Sequence, residues 1–516
     1  MRKTIILPYL FLSISLQAQV ISSSQIDSLT ELTLKTFDVP GIAVAVVKDG
    51  KVIHAKGYGV RSLDTRLPVN EFTLFGIASN TKAFTVAALG ILTDEGKLKW
   101  DDKVTDYIPE FRMYNPYVTE EFTIRDLLTH RSGLGLGAGD LMFWPDSNNF
   151  TKNEMIHNLR YLKPVSSFRT KYDYDNNLYM VAGEVVARVS GMSWEDFIQK
   201  KIFDPLGMNY SAPSYNLLKN KTNVIDPHAP VDGVVKVIRR DDNETLDAAG
   251  GIYSNLHDMC KWIIMQMNNG KYGEDSGKRL FSSEVHEEMW TPQTIIPVRG
   301  ETPYNTHFAS YGLGWFLSDV HGYKQVTHTG GLAGIVTQVT LIPEIKLGII
   351  VFTNQQSGAA FSAITNTIKD SYFGIKGRNW VKLYREQEVA SGANEKQILD
   401  STWKIIEGQQ KNNVVIDLSL FTGTFHDQWF GDVVISSENG RLWFRSQKSF
   451  LLNGEMLPYK GNTFIVKWTD RSMDADAYVI FDLDKEGNPS SMKMNAISPL
   501  TDFSFDFQDL DFKKVK

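Results

Sequence analysis

A single cysteine, Cys260, in 516 residues excludes an internal disulfide. The chain also lacks paired cysteines and a His-Glu-x-x-His run, the usual signatures of a protein-held zinc. A Gly-x-x-x-x-Gly-Lys-Ser/Thr phosphate loop is missing too, so neither a metal nor another cofactor is expected. Neither sign of charge dominates, with 54 Lys and Arg against 60 Asp and Glu. A formal net charge of −6 gives no electrostatic reason for nucleic-acid binding. No apolar run is of membrane-spanning length, and near residues 1–18 a basic start, a short apolar core and a small residue at Ala18 form the pattern of a signal peptide. That run is too short to span a bilayer, so no transmembrane helix is expected once it is removed. Cys260 lies far from this end, which excludes a cysteine-linked lipid anchor there. Export without disulfides fits a bacterial periplasm better than a eukaryotic secretory route.

Hydrophobic residues make up 42% of the chain and charged ones 22%, ample material for a globular core. The length suggests one large domain and a smaller one. Residues 26–37 have the spacing of an amphipathic helix. The runs 42–47 and 52–59 flank Asp49-Gly50, which predicts a hairpin. A helix entered near Ser79 stops near Glu95-Gly96, where glycine suits a helix end. Residues 100–207 read as helices and loops, with one helix at 124–134 running into a glycine turn, one at 178–190 and one at 194–203. Strand character returns at 311–317, 325–331, 335–342 and 347–354.

The expected fold is therefore α+β, an antiparallel sheet flanked by helices with a helical region inserted between its terminal strands. The polar stretch 386–413 reads as a linker. Beyond it, 414–516 alternates short apolar runs with turns such as Glu438-Asn439-Gly440, the pattern of a small all-β domain. The expected division is signal peptide 1–18, main domain 19–385, linker 386–413 and β domain 414–516.

One chemical pattern stands out. Ser79 and Lys82, at the head of the apolar run 83–92, fall on one helix face, with the amine beside the hydroxyl. A buried lysine with a lowered pKa can take a serine proton, a nucleophile without histidine. Ser-x-x-Lys recurs at Ser401/Lys404 and Ser490/Lys493. The first recurrence lies in a polar segment and the second follows the Asn488-Pro489 turn, so only Ser79 opens a long apolar helix.

Two later phrases complete a set, Tyr174-x-Asn176 and His328-Thr329-Gly330-Gly331. In this order, with Phe75-Gly76-Ile77-Ala78-Ser79, 127–134, 203–208 and 249–254 around them, the motifs resemble the serine β-lactamase and penicillin-binding-protein superfamily. The closest resemblance is to its class C-like esterases, D-amino-acid peptidases and transacylases, over about residues 29–367. The resemblance implies that Ser79 attacks the acyl carbon, that Lys82 and Tyr174 share the proton work, and that Asn176 binds substrate or Lys82. It also implies an oxyanion hole from the N–H groups of Ser79 and Gly331, with Thr329 lining the site.

Tyr253-x-Asn255 competes for the second motif, but the helix start after Tyr174 favours Tyr174. β-Lactamases of this type usually carry Lys or Arg where this chain has His328, and histidine is largely neutral near pH 7. The expected function is an exported hydrolase of esters or amides of small peptides or D-amino-acid derivatives. A β-lactamase or D-alanyl-D-alanine carboxypeptidase is the alternative within this chemistry, and a non-catalytic penicillin-binding sensor the alternative outside it. The segment from 420 to 444 resembles the β-barrel often appended to these hydrolases; its His426, Asp427 and Trp429 could face a ligand. Specificity is expected in loops 135–149 and 295–308.

Overall fold

The computed structural model describes residues 20–241, 243–273, 277–411 and 417–515. The signal-peptide segment 1–18 lies outside the described residues, as do positions 412 and 413 of the expected linker. Among the described residues no helix is long and apolar enough to cross a membrane.

The first helix, α1 (Ser23–Thr36), starts at a capping box in which Ser22 and Gln25 satisfy each other's backbone donors. The hairpin β1 (Gly41–Lys48) and β2 (Lys51–Gly59) follows. The helices α2 (Lys82–Asp94), α3 (Asn177–Ser190) and α4 (Leu256–Met267) belong to the inserted region. The chain then returns to the sheet as β3 (Thr294–Ile296), β4 (Ala309–Tyr311), β5 (Phe316–Val320), β6 (Tyr323–Leu332), β7 (Ile335–Ile342) and β8 (Leu347–Thr353). All eight strands form one antiparallel sheet in the order β2-β1-β8-β7-β6-β5-β4-β3, so the early hairpin joins the late meander through β1 and β8. Successive side chains of β1 go to opposite faces. Ile42, Val44 and Val46 pack against α1 and α5 (Gly358–Phe373), while Ala43, Ala45 and Val47 join the core that contains α2 and α4.

Two local expectations are corrected. The strand expected over 311–317 is two strands, β4 and β5, joined by a turn at Gly312–Trp315. Gly314, at φ +76°, lies so close to α2 that a Cβ there would stand 3.1 Å from the Ala83 Cα. The helix expected over 124–134 spans only Ile124–Leu127, because His130 takes a left-handed backbone at φ 52°. The linker segment continues from the main domain as one helix, α6 (Trp380–Lys411), whose Thr402 and Ile406 pack on the last domain.

That domain is a closed eight-stranded antiparallel barrel of β9 (Gly423–Asp427), β10 (Gly431–Glu438), β11 (Arg441–Ser446), β12 (Asn453–Lys460), β13 (Thr463–Trp468), β14 (Ala477–Leu483), β15 (Pro489–Ala496) and β16 (Phe512–Lys514). Its first and last strands pair at Phe425 and Lys514, which leaves no sheet edge. Phe425, Phe444, Phe464, Trp468 and Phe481 are buried and fill the core of the barrel domain. The loop between β15 and β16 leaves the barrel and reaches the main domain.

Candidate active site

The site forms where the start of α2 meets β6. Ser79 lies in a single 3-10 turn, Ala78–Thr81, rather than in the α-helix proper, which begins at Lys82. Ala78 is held at φ 50°, a region that costs a residue with a Cβ free energy and persists only when its surroundings enforce it. Here the surroundings do so through several contacts. Asn80 Nδ2 donates to Thr337 Oγ1 on β7 at 2.9 Å, Thr337 donates to the Ile77 carbonyl at 2.9 Å, and Ile77 N–H donates to the Ile252 carbonyl at 2.8 Å. Gly330 lets β6 press against the turn, since a Cβ there would meet Ile77 O and Thr337 Oγ1 at 2.4 Å.

α2 is buried on every face from Lys82 to Leu92, which explains its nearly all-apolar sequence and places the Lys82 amine in a dry environment. The amine donates to Ser79 Oγ at 3.0 Å, Asn176 Oδ1 at 2.7 Å and the Ala249 carbonyl at 2.9 Å. Burial lowers its pKa to about 7, against the opposing pull of Asp140 and Asp175. Asn176 directly precedes α3 and is itself held by Asp140, whose Oδ2 accepts from Asn176 Nδ2 at 2.9 Å.

The Tyr174 ring lies 4.8 Å from the Lys82 amine. Burial pushes its phenol well above the ordinary 10.0, against a smaller opposing pull from the Ser79 hydroxyl. Among the described residues the phenol oxygen has no hydrogen-bond partner of ordinary geometry.

His328 is fully buried, yet it lines the cavity in front of Ser79. Its Nδ1 lies 2.6 Å from the Thr329 carbonyl, which can only accept, so Nδ1 carries the proton. Its Nε2 accepts from the Tyr311 hydroxyl at 3.0 Å. Burial, with the neighbouring Lys82, lowers the imidazole pKa to about 3. The residue that stands where a fixed cation is usual is therefore a neutral hydrogen-bonding group.

Seven of the eight residues singled out from sequence surround one site: Ser79, Tyr174, Asn176, His328, Thr329 and Gly331 line a cavity of about 350 Å³, and Lys82 contacts Ser79 and Asn176. Gly330 is buried against the serine turn rather than in the lining. The competitor Tyr253 pairs with Gly76 in a short two-stranded sheet, and Asn255 caps α4. Of the decoy serines, Ser401 is exposed on α6 and Ser490 is exposed on the barrel. Loop 135–149 supplies Leu136, Phe143 and Trp144 to the cavity, whereas none of 295–308 lines it. His426, Asp427 and Trp429 do not form a ligand site: Asp427 accepts from the Trp429 and Phe430 N–H groups, Trp429 is buried, and His426 pairs with Asp432.

Sequence reasoning missed four contributors. His130 is buried, with its ring 4.2 Å from that of Tyr174, and its Nδ1 accepts from the Asp175 N–H. Asp140 and Asp175 are fully buried; burial pushes Asp175 up to about 7 and Asp140 well above the ordinary carboxylate value. The fourth is the barrel loop, whose Asp502, Phe503 and Ser504 complete the cavity wall. His130 stood inside a phrase already noted at 127–134; nothing local in the sequence marked the others.

A model of the beta-lactamase family matches residues 26–371. The chain belongs to that family. Its members are generally serine hydrolases. Residues 416–514 match a domain of unknown function, DUF3471. Among similar proteins, an unguisins hydrolase of Aspergillus violaceofuscus is 26% identical, over 79% of this chain and 76% of its own length. Protein flp of Staphylococcus aureus strain MRSA252 is 30% identical, over 65% of this chain and 64% of its own. The octameric penicillin-binding protein homologue of Pyrococcus abyssi superposes with a TM-score of 0.60 at 23% identity, covering 96% of this chain and all of that one, a likeness of fold.

Proposed function

We propose that this beta-lactamase-family chain hydrolyses esters or amide bonds of small peptide or D-amino-acid derivatives through a Ser79 acyl-enzyme. The observation that carries this is the Lys82 amine, fully buried, with a pKa brought to about 7 and 3.0 Å from the Ser79 hydroxyl. A base with a pKa near the working pH combines the right protonation state with useful proton affinity. Tyr174, whose phenol is pushed far up, is a poor proton acceptor in the resting site and serves as a donor or relay. Ser79 Oγ bonds to the acyl carbon as its proton passes to Lys82. The oxyanion is met by the Ser79 and Gly331 N–H groups. The leaving group departs with the proton, and water repeats the sequence to release the acid.

The wall chemistry supports a neutral, apolar acyl group. Leu136, Phe143, Trp144, Phe316, Leu332 and Phe503 line the cavity, and no Lys or Arg is among its described lining residues. With His328 neutral, a substrate carboxylate finds no fixed cation, so esters and amides fit better than penicillins. A relative named as a hydrolase of unguisins supports the hydrolytic reading.

The test is a panel of esters, D-amino-acid amides and β-lactams given to the purified chain and to Ser79→Ala. Ester or amide turnover lost in a folded Ser79→Ala variant is the expected result, and turnover that persists in it contradicts the proposal. Nitrocefin as the preferred substrate favours the β-lactamase alternative instead. A Ser79 adduct that never turns over, with no ester or amide hydrolysed, favours a sensor. Export is part of the same proposal and is tested by N-terminal sequencing of the secreted protein, expected to begin near Gln19.

A further inference from the structure

The barrel domain does more than stand beside the site. Ser504 Oγ, from the loop between β15 and β16, donates to Asp140 Oδ2 at 2.8 Å. The same carboxylate oxygen accepts from Asn176 Nδ2, and Asn176 Oδ1 accepts from Lys82. A continuous hydrogen-bonded path thus runs from the second domain to the amine beside the nucleophile. Two residues further on, Asp506 accepts from the Gly139 N–H at 2.6 Å and the Leu141 N–H at 3.0 Å, clamping the turn that carries Asp140. Ser504 and Asp506 are both buried, so water does not compete for these bonds.

We propose that Ser504 is a positioning residue that acts across the domain boundary, holding Asp140 so that Asn176 and the Lys82 base keep their placement and proton affinity. The inference rests on the reading of Lys82 as the base. Asp140 accepts two donors on Oδ2, while its Oδ1 has none among the described residues. Removing the Ser504 donor makes the carboxylate harder to keep charged, and a weaker negative field at Lys82 makes the ammonium easier to deprotonate. The groups facing Lys82 are Asp140, Asp175, Tyr174, Tyr179, His130 and His328; those facing Asp140 are Lys82, Asp175, Tyr174 and Asp506, the last of which also faces Asp509, and Asp502 accepts from the Ser504 N–H at 2.9 Å. Substitution of Ser504 leaves each of these residues in place.

The experiment uses the full chain as wild type, Ser504→Ala and Ser504→Thr. It measures the pH profile of kcat/KM on an ester and of fluorophosphonate labelling, together with the Lys82 Cε signal of 13C-lysine protein, assigned by its loss in Lys82→Met. In Ser504→Ala the acidic limb and the Lys82 titration move to lower pH by about half a unit, roughly a threefold change in proton affinity, and kcat falls. Ser504→Thr, which keeps the hydroxyl, retains the wild-type limb. A uniform loss of activity across pH in Ser504→Ala, with the Lys82 titration unmoved, overturns the inference and leaves Ser504 a structural contact. If Ser504→Ala does not fold, Ser504→Cys, similar in size and a weak donor, makes the same comparison. Wild-type protein that neither labels nor turns over any ester counts against the parent reading, while the carbon titration still decides this one.

Discussion

Replacing Lys82 by methionine removes a contribution to stability that varies with pH. In the unfolded chain this lysine binds a proton up to its ordinary value of 10.5, whereas in the fold burial brings that down to about 7. Between those values the unfolded state holds one more proton than the native state, so stability rises with pH. The slope is about 1.4 kcal/mol per pH unit, and the whole span amounts to ~5 kcal/mol. Lys82 has no exposed surface, so solvent screening does not discount the figure. Methionine fills a similar volume but leaves Asn176 Oδ1 and the Ala249 carbonyl without their donor, a loss of about 1–3 kcal/mol each that does not change with pH. The difference in unfolding free energy between wild type and Lys82→Met is therefore expected to move in favour of wild type by about 1.4 kcal/mol for each pH unit from 7.5 to 9.5. Contributions from Lys369, also brought to about 7 by burial, are present in both proteins and cancel. Guanidinium unfolding of the main domain across this range measures the difference. A difference that does not change with pH refutes the claim that burial brings the Lys82 pKa down to about 7.

Further outcomes follow from neighbouring residues. Gly330→Ala places a methyl 2.4 Å from Ile77 O and Thr337 Oγ1, so it should destabilise the main domain by about 1–3 kcal/mol and lower kcat by displacing the serine turn; thermal melts and ester kinetics check both. The His328 imidazole, with its pKa near 3, should keep one tautomer and show no titration from pH 5 to 8 in its ring nitrogen signals. Phe503→Ala removes an aromatic wall whose ring stands edge-on to Tyr174 at 5.9 Å, and should raise kcat/KM for bulky acyl esters over acetyl esters by about tenfold. With Lys82 as base, kcat/KM should fall about tenfold per pH unit below pH 7, because only the unprotonated amine accepts the proton.

The residues of the proposed catalytic set were legible in the sequence. Ser79 and Lys82 are three apart at the head of an apolar helix, and the second and third motifs follow in a fixed order, so their convergence follows from the family resemblance. The division into sheet, helical insertion and barrel was also readable, because β1 and β8 are unbroken apolar runs and the last hundred residues alternate. What could not be read depends on contact at long range. Ser504 and Asp140 are 364 positions apart, and neither carries a local signature that distinguishes it from a solvated polar residue. The same is true of the break between β4 and β5, which is set by how closely Gly314 approaches α2 and not by any loss of apolar character between Tyr311 and Leu317. His328 lay between the two cases. Its position was legible, while its tautomer follows only from the Thr329 carbonyl and the Tyr311 hydroxyl.

The central claim is that Ser79 is a nucleophile activated by Lys82, and covalent labelling tests it most directly. Wild type, Ser79→Ala and Lys82→Met are incubated with a fluorophosphonate at pH 8, and the adduct is located by intact mass and peptide mapping. The account predicts one adduct per wild-type chain on the peptide that contains Ser79, none on Ser79→Ala, and labelling of Lys82→Met slowed by at least about a hundredfold. An adduct on another residue, or a Lys82→Met variant that labels as fast as wild type, contradicts it.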